Sequence, residues 1–229
     1  MKIVPWLRII STHLQKDVRT EWRSRQCINS MLFYSLLVIV IFSVIIDRIS
    51  QSALEVAGGA WCIATMFSSL IALNQTWARE IDSNIYDALR MTPTDATAVF
   101  TAKALMNFLM ISLVQIILVP LFIVFLNLRP LGNIWLLLIT IPAGTWALVA
   151  IGTFCATLSV FSRNRDLILP LILFPIFLPM LLAMVLSIKS ALTGDGSDPR
   201  HLWIIILLAD DVLFTAVSFF LFETVFNAE

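Results

Sequence analysis

Charged residues are scarce in this sequence, and apolar residues are abundant. Asp, Glu, Lys and Arg make up 13% of the 229 residues, whereas apolar residues make up 59%. Soluble domains are roughly a quarter charged and roughly half apolar, and a soluble fold of this length could not bury so much apolar surface. The composition therefore excludes an ordinary soluble protein and indicates a chain that lies in a bilayer. Lys+Arg and Asp+Glu are both 15, so no excess charge points to nucleic acid as a partner.

Residues that build catalytic and metal sites are equally scarce. The two histidines, His13 and His201, lie far apart, and Cys27, Cys62 and Cys155 are too widely spaced for a zinc site or a disulfide framework. The seven glycines form no phosphate-binding loop. We expect no catalytic residue, no metal site and no firmly bound cofactor, and we expect that this chain does not hydrolyse ATP. His201 could ligate haem iron, although a solvated interfacial histidine is the simpler interpretation.

Six stretches are long and apolar enough to cross a membrane as helices, because each is close to the ~20 residues that a bilayer requires. The alternating segments of about ten residues that are typical of membrane β-barrels do not occur. We predict an all-α polytopic membrane protein that forms a single transmembrane domain over 1–229. Its transmembrane helices are expected at about 28–46, 57–74, 101–127, 133–161, 167–188 and 202–226.

The first 27 residues predict an amphipathic helix rather than a signal peptide. Apolar residues recur at helical spacing on one side, and cations occupy the other. Such a helix would lie flat on an anionic membrane surface, with lipids as its partner. The alternative is an ordinary amphipathic helix that packs on protein. The apolar stripe contains Ile3, Leu7, Ile10, Leu14 and Val18, and the cations are Lys2, Arg8, Lys16, Arg19 and Arg23.

The distribution of positive charge predicts the orientation of the chain. With six spans, eleven Lys and Arg residues fall on the side of the N-terminal segment, and four fall on the other side. Because cytoplasmic loops are enriched in Lys and Arg, both termini are expected in the cytoplasm. The segment 74–98 and the loop 162–166 are then cytoplasmic as well.

Three acidic residues lie within the last apolar stretch. Asp210 and Asp211 are about 12 Å into the predicted span, measured by helical rise, and Glu223 lies close to its other end. A carboxylate at that depth is costly and normally faces protein or a wet cavity. One interpretation is a proton or cation site, or a polar contact in a transport path. The other is that these residues lie near the membrane edge or bond to a neighbouring helix.

The segment between spans two and three combines charge with a helical apolar stripe. Pro93 ends it, and Trp77, Ile81, Ile85 and Leu89 recur at helical spacing. A short amphipathic helix on the cytoplasmic face is a surface that a soluble ATPase can bind, whereas a solvated connector would not need the apolar stripe. The residues expected at this coupling site are Trp77, Arg79, Glu80, Asp82, Tyr86, Asp87 and Arg90.

The same segment resembles the B subunit of the cytochrome c maturation ABC transporter, the CcmB family of haem exporter permeases. The likeness lies in the stretch 68–80, with sequence SSLIALNQTWARE, and continues through Asp82 to Pro93, Lys103 and Asn107. The stretches 211–214 and 221–223 resemble the family's ending, which marks Asp211 and Glu223 more than Asp210. The family usually has glycine where Ser83 stands. Length and the six-span plan match over essentially the whole chain.

This resemblance implies a multi-pass permease subunit in the bacterial inner membrane. A dimeric ATP-binding subunit would dock beneath it, and other small membrane subunits would handle haem and its periplasmic chaperone. Haem would then be a transported or handled ligand, and the ATP-driven step would serve haem export or release of haem-loaded chaperone in cytochrome c biogenesis. The alternatives are an ABC export permease of similar plan for a lipid, polysaccharide or drug, and a membrane anchor without a translocation path.

Overall fold

A computed structural model of the protein describes residues 3–48, 53–82, 95–128, 133–160, 165–193 and 200–226. Helices account for almost all of these residues, and six of the described helices are long and apolar enough to cross a membrane. The predicted all-α polytopic fold is therefore confirmed. The helices are α1 (Ile3–Ser24), α2 (Gln26–Arg48), α3 (Ala53–Gln75), α4 (Ala78–Asp82), α5 (Ala96–Phe125), α6 (Ile134–Val160), α7 (Arg165–Thr193) and α8 (Arg200–Phe226).

The junction between α1 and α2 is a single residue, Arg25, with defined capping. Arg25 adopts a positive φ of 52°, the left-handed conformation that commonly ends a helix. The buried Glu21 carboxylate accepts hydrogen bonds from the backbone N–H groups of Cys27 (2.9 Å) and Ile28 (3.3 Å) at the start of α2. Because these donors have no partner inside the helix, Glu21 satisfies them and fixes where the first span begins.

The N-terminal segment forms the predicted helix, and part of its apolar stripe packs on protein. Ile10 of α1 is buried against Ala98 and Ala102 of α5, while Leu7 and Trp22 remain exposed. Contact with α5 matches the alternative in which this helix packs on protein. Its position relative to a membrane surface stays a prediction.

The helix that contains the third predicted span begins before residue 101. Asp95 caps the helix, since its carboxylate accepts a hydrogen bond from the backbone N–H of Thr97 at 3.2 Å. An Asp at this position satisfies one of the free donors of the first turn. As a result α5 starts at Ala96 and carries an extra turn, which contacts α1.

Helix α6 lies at the centre of the bundle. Every side chain of residues 147–157 is buried, and the helix packs against α3, α5, α7 and α8. Helices α2 and α8 lie at the periphery with many exposed apolar side chains, as expected of surfaces that face lipid. Gly58 permits α3 to approach α7 closely, because an added Cβ would lie 2.8 Å from the Val185 carbonyl oxygen.

Candidate coupling site

Four charged side chains from three helices form a cluster at the end of the bundle where α4 lies. Glu80 of α4 accepts hydrogen bonds from Lys103 Nζ of α5 (2.7 Å) and from Lys16 Nζ of α1 (2.8 Å). Asp17 of α1 pairs with Lys103 at 2.9 Å and with Lys16 at 3.4 Å. We call Lys16, Asp17, Glu80 and Lys103 the four-charge cluster. It carries two charges of each sign and joins α1, α4 and α5.

Because Glu80 and Lys103 are buried, each depends on the opposite charges around it. Glu80 is 5% exposed and Lys103 is 4% exposed, whereas the Lys16 side chain is 46% exposed. An unpaired charge with so little access to water would be strongly unfavourable, so Glu80 and Lys103 each require the other's charge. Lys16, by contrast, remains solvated, so its ion pairs contribute less to stability than the pair of Glu80 and Lys103.

The contacts of the cluster shift the pKa values of its members in opposite directions. Burial alone would raise the pKa of Glu80, but the charge and hydrogen bond of Lys103, with those of Lys16, lower it below its ordinary value. Burial alone would lower the pKa of Lys16, but its contacts with Glu80 and Asp17 raise it instead. Both groups therefore stay charged at neutral pH. The pKa of nearby His13 is lowered by burial and by the two lysines, so this imidazole favours the neutral form.

Trp77 lies directly beneath the cluster and is a core residue. It is 2% exposed, Lys103 Nζ lies 5.1 Å from its ring centroid, and its Nε1 donates a hydrogen bond to Thr157 Oγ1 of α6 at 3.0 Å. The indole therefore combines a cation–π contact with a buried hydrogen bond. In this structure the indole is buried in the protein's own core, and a role for Trp77 in contacting a partner stays a prediction. Glu80 is likewise turned inward, and Ile81 of the apolar stripe packs against the core. Ile85 and Leu89 lie outside the described residues.

A ladder of buried polar side chains continues from the cluster into the bundle. Asn107 Nδ2 donates to Thr76 Oγ1 (3.0 Å) and Thr153 Oγ1 (3.1 Å). Deeper in the bundle, Gln115 Nε2 donates to Thr145 Oγ1 at 2.9 Å and to Thr65 Oγ1 at 3.3 Å. At the first level these bonds join α5 and α6 to the connection between α3 and α4, and at the second level they join α3, α5 and α6. Sequence reasoning missed Gln115, although an amide inside a long apolar run is itself a signal for an interhelical contact.

A polar cavity of about 210 Å³ adjoins the four-charge cluster. Besides the cluster it is lined by Glu21, Gln75, Thr76 and Asn107, together with Met106 and Met110. The cavity is large enough to hold several water molecules, and its polar side chains can bind them. The cluster therefore borders a pocket that can hydrate it when its ion pairs separate.

The structure does not bring the membrane-embedded acids into this cluster. Asp210 and Asp211 lie in α8, where Asp211 faces Ala147 of α6. Ala147 is ten residues from Thr157, or about 15 Å along the helix. Within the described part of the chain, one buried oxygen of each carboxylate has no hydrogen-bond partner. A buried acceptor without a partner is unfavourable, so these two oxygens are among the few unsatisfied polar atoms in the described part of the bundle.

Five of the predicted coupling residues, together with Glu223, are placed only in part or not at all. Arg79, Asp82 and Glu223 lie on described helices, but their side chains are outside the description. Tyr86, Asp87 and Arg90 lie outside the described residues altogether. The roles assigned to these side chains stay predictions.

Metal ligands do not cluster in the described ranges. No group of three or more His, Cys, Asp or Glu side chains there could hold a metal ion. Cys27, Cys62 and Cys155 are free thiols buried in the apolar core.

Comparisons with known proteins agree over nearly the whole chain. A family model described as CcmB protein matches residues 8–227. The chain is 28% identical over 169 residues to Heme exporter protein B of Rhodobacter capsulatus, covering 74% of this chain and 77% of that protein. It is 24% identical over 201 residues to Heme exporter protein B of Pseudomonas aeruginosa, covering 88% and 90%. The protein of that name from Haemophilus influenzae is 28% identical over 178 residues, covering 77% and 78%.

Proposed function

The chain belongs to the CcmB protein family, and from this membership we propose that it is the permease subunit of an ABC transporter for c-type cytochrome biogenesis. It couples ATP hydrolysis by a separate ATP-binding subunit, acting as a dimer, to haem export or to release of a haem-loaded chaperone. The names of the relatives support haem export, and the six apolar helices support a multi-pass protein of the bacterial inner membrane. Haem-handling membrane subunits complete the assembly, with both termini of this chain in the cytoplasm.

The four-charge cluster is the observation that best supports a coupling role. Glu80 belongs to α4, which directly follows the second span, and its carboxylate holds α1 and α5 through Lys16 and Lys103. Separating a buried carboxylate from its cations is costly, so a force on α4 is passed to α1 and α5 before the ion pairs break. Trp77 extends the connection to Thr157 of α6. An ATPase that pushes the segment 76–92 would therefore move several spans together.

This arrangement divides the predicted coupling residues into two roles. Arg79, Asp82, Tyr86, Asp87 and Arg90 contact the ATPase. Trp77 and Glu80 act as positioning residues that transmit the motion, since they are buried within the permease. The two roles predict different failures, because loss of a docking contact releases the ATPase, whereas loss of a transmitting contact leaves it bound.

The test compares docking and transmission variants in the complete complex. Tyr86→Ala and Arg90→Glu are expected to lower the ATPase that co-purifies with the permease by roughly tenfold, the usual cost of losing an interface anchor. Glu80→Gln is expected to retain the bound ATPase. The amount of mature cytochrome c should fall, and cytochrome c maturation should depend less on ATP. Permease abundance, bound ATPase and mature cytochrome c are measured in the same membranes.

Three outcomes of this test would contradict parts of the proposal. If Glu80→Gln releases the ATPase as Tyr86→Ala does, Glu80 is part of the docking surface and the division of roles is wrong. If all three variants leave cytochrome c unchanged while the ATPase supports export of another substrate, the assignment to haem is wrong. An ATPase that never co-purifies, even with the native chain, would favour a membrane anchor.

The predicted orientation has its own test. After Cys27, Cys62 and Cys155 are replaced, a single cysteine at Ser83 or Asn164 should resist an impermeant thiol reagent added from the periplasmic side. A cysteine at Asn133, in the loop between α5 and α6, should react. Labelling of Ser83→Cys in intact cells would contradict the cytoplasmic position of the coupling segment.

A further inference from the structure

A second cavity, separate from the four-charge cluster, lies between α3, α5, α6 and α7. Its volume is about 520 Å³, within the range of about 300–1,000 Å³ of ligand pockets. None of the described residues that line it carries a charge, and most are Ile, Leu, Val or Phe. A much smaller engineered apolar cavity of about 150 Å³ stays dry and binds apolar molecules, so this space suits an apolar occupant better than water.

One polar group in the lining stands out. Trp61 is 4% exposed, and in the described part of the chain its indole Nε1 has no hydrogen-bond acceptor. Its ring is held edge-on against Phe122, with centroids 5.2 Å apart. The amide of Gln115, which also lines the cavity, is already bonded to Thr65 and Thr145 and does not serve Trp61. Because a buried N–H normally has an acceptor, an occupant that brings one would remove this cost.

The cavity opens onto the apolar outer surface of α5 and α6, and not towards the interior of the bundle. Ile116, Ile134 and Leu138 line it and are also exposed on the apolar outer surface of α5 and α6. It extends from the start of α6 at Ile134 inward to Pro142, and along α5 from Phe122 to Ser112, which is about 15 Å by helical rise. The space therefore runs from one membrane surface towards the bilayer centre, which is the course of a lipid tail.

The cavity follows about 15 Å of α5, opens to the apolar outer surface, and among the described residues contains one N–H donor without an acceptor, Trp61 Nε1. A hydrocarbon chain with a carbonyl at its head matches this lining. A transmembrane helix matches it less well, because its backbone carbonyls are already bonded within the helix.

We propose that this cavity binds one acyl tail of a bilayer phospholipid, whose ester carbonyl accepts the hydrogen bond from Trp61 Nε1. The apolar lining holds the hydrocarbon, the side opening between α5 and α6 admits it from the membrane, and the indole selects a chain that carries an acceptor at its head. The site lies away from α4 and is independent of how ATP hydrolysis is coupled.

The experiment uses the complete complex in nanodiscs of phosphatidylethanolamine and phosphatidylglycerol. Two phosphatidylcholine probes with the same photoreactive tail are compared, one ester-linked and one ether-linked, since the ether lacks the carbonyl acceptor. With the native chain, the ester probe should label peptides around Ile116 and Ile134 about two- to tenfold more than the ether probe, the range for one net hydrogen bond. Trp61→Phe should bring the ratio to one, whereas Trp135→Phe, at an exposed tryptophan near the same helix end, should leave it unchanged.

Three outcomes would overturn the proposal. The first is equal labelling by the two probes in the native complex. The second is labelling spread evenly onto the exposed face of α8. The third is crosslinking of the residues that line the cavity to a helix of another protein chain. A filling variant, Val119→Trp, should reduce labelling by both probes in complexes that remain monodisperse on size exclusion, and unchanged labelling there would also contradict an occupied cavity.

Discussion

The ion pair between Glu80 and Lys103 permits a quantitative test of the coupling site. We consider Glu80→Gln, Lys103→Met and the double variant, so that a double-mutant cycle isolates the pair. Each single substitution removes a charge from a 2.7 Å contact in which both residues are at least 95% buried. Each also leaves one remaining partner, since Glu80 keeps Lys16 and Lys103 keeps Asp17.

The expected coupling energy follows from these contacts. A hydrogen bond to a charged group contributes about 1.5–3 kcal/mol, whereas removing the only partner of a buried ion costs about 3–5 kcal/mol. Because each ion retains one partner, we expect a coupling energy in the lower range, about 1.5–3 kcal/mol. The double variant should therefore be more stable by this amount than the sum of the two single effects predicts. The pair of Lys16 and Asp17 is the control: it is 3.4 Å long and half-solvated, and should couple by less than about 1 kcal/mol.

Reversible unfolding of the purified chain in mixed micelles, titrated with denaturing detergent, measures these energies. The same variants are assayed for ATP-dependent cytochrome c maturation in membranes. If the substitutions at Glu80 and Lys103 prove additive within about 0.5 kcal/mol, the two residues do not interact as the structure places them. Transmission through α4 would then lose its support.

The same carboxylate predicts the acid dependence of stability. The pKa of Glu80 is lowered in the folded chain, so its contribution is complete above its ordinary value of 4.5 and is lost as the pH falls through the lower folded value. The stability difference between the native chain and Glu80→Gln should therefore be constant around neutral pH and should shrink below pH 4.5. A difference that grows on acidification would mean that Glu80 is not stabilised in its charged form.

Two further predictions concern the spans. Gly58→Ala should destabilise the fold by about 1–3 kcal/mol, because the new Cβ meets the Val185 carbonyl. Gly59 has open space around it, so Gly59→Ala should leave the stability unchanged or raise it by up to about 1 kcal/mol. Equal effects of the two substitutions in unfolding titrations would argue against the close approach of α3 and α7. Asp211→Asn should reduce cytochrome c maturation more than Asp210→Asn, because Asp211 faces α6 and matches the family ending; native-level maturation in both variants would leave the acids with only a structural role.

Local patterns in the sequence were sufficient to predict the six spans and the helix before them. Apolar runs such as those around Ile39 and Leu173 become helices in any bilayer, since no water is available to satisfy an exposed backbone. No helix start was predicted between Pro93 and residue 101, because the prediction followed hydropathy and overlooked Asp95. An aspartate directly before a run of apolar residues was the available signal for a helix cap.

The partners of the charged residues depended on tertiary structure. The sequence marked Glu80 and Trp77 as important, but helical periodicity gives only the side of a helix on which a residue lies, not the partner that this side meets. A stripe that packs on a partner protein and a stripe that packs on the chain's own core have the same pattern. For Glu80 the structure shows partners within the chain, since it places Lys103, 23 residues away, and Lys16, 64 residues away, around one carboxylate.

The sequence by itself thus determined that the chain is a six-span membrane protein with a charged segment between spans two and three, because hydropathy and charge act locally on each stretch. Only the tertiary structure decided that Glu80 and Trp77 are internal, that Gln115 joins three helices, and that Trp61 lines an apolar cavity. These features arise where separate helices meet. Interhelical distances depend on how all the spans pack together, and no single stretch of the sequence contains that information.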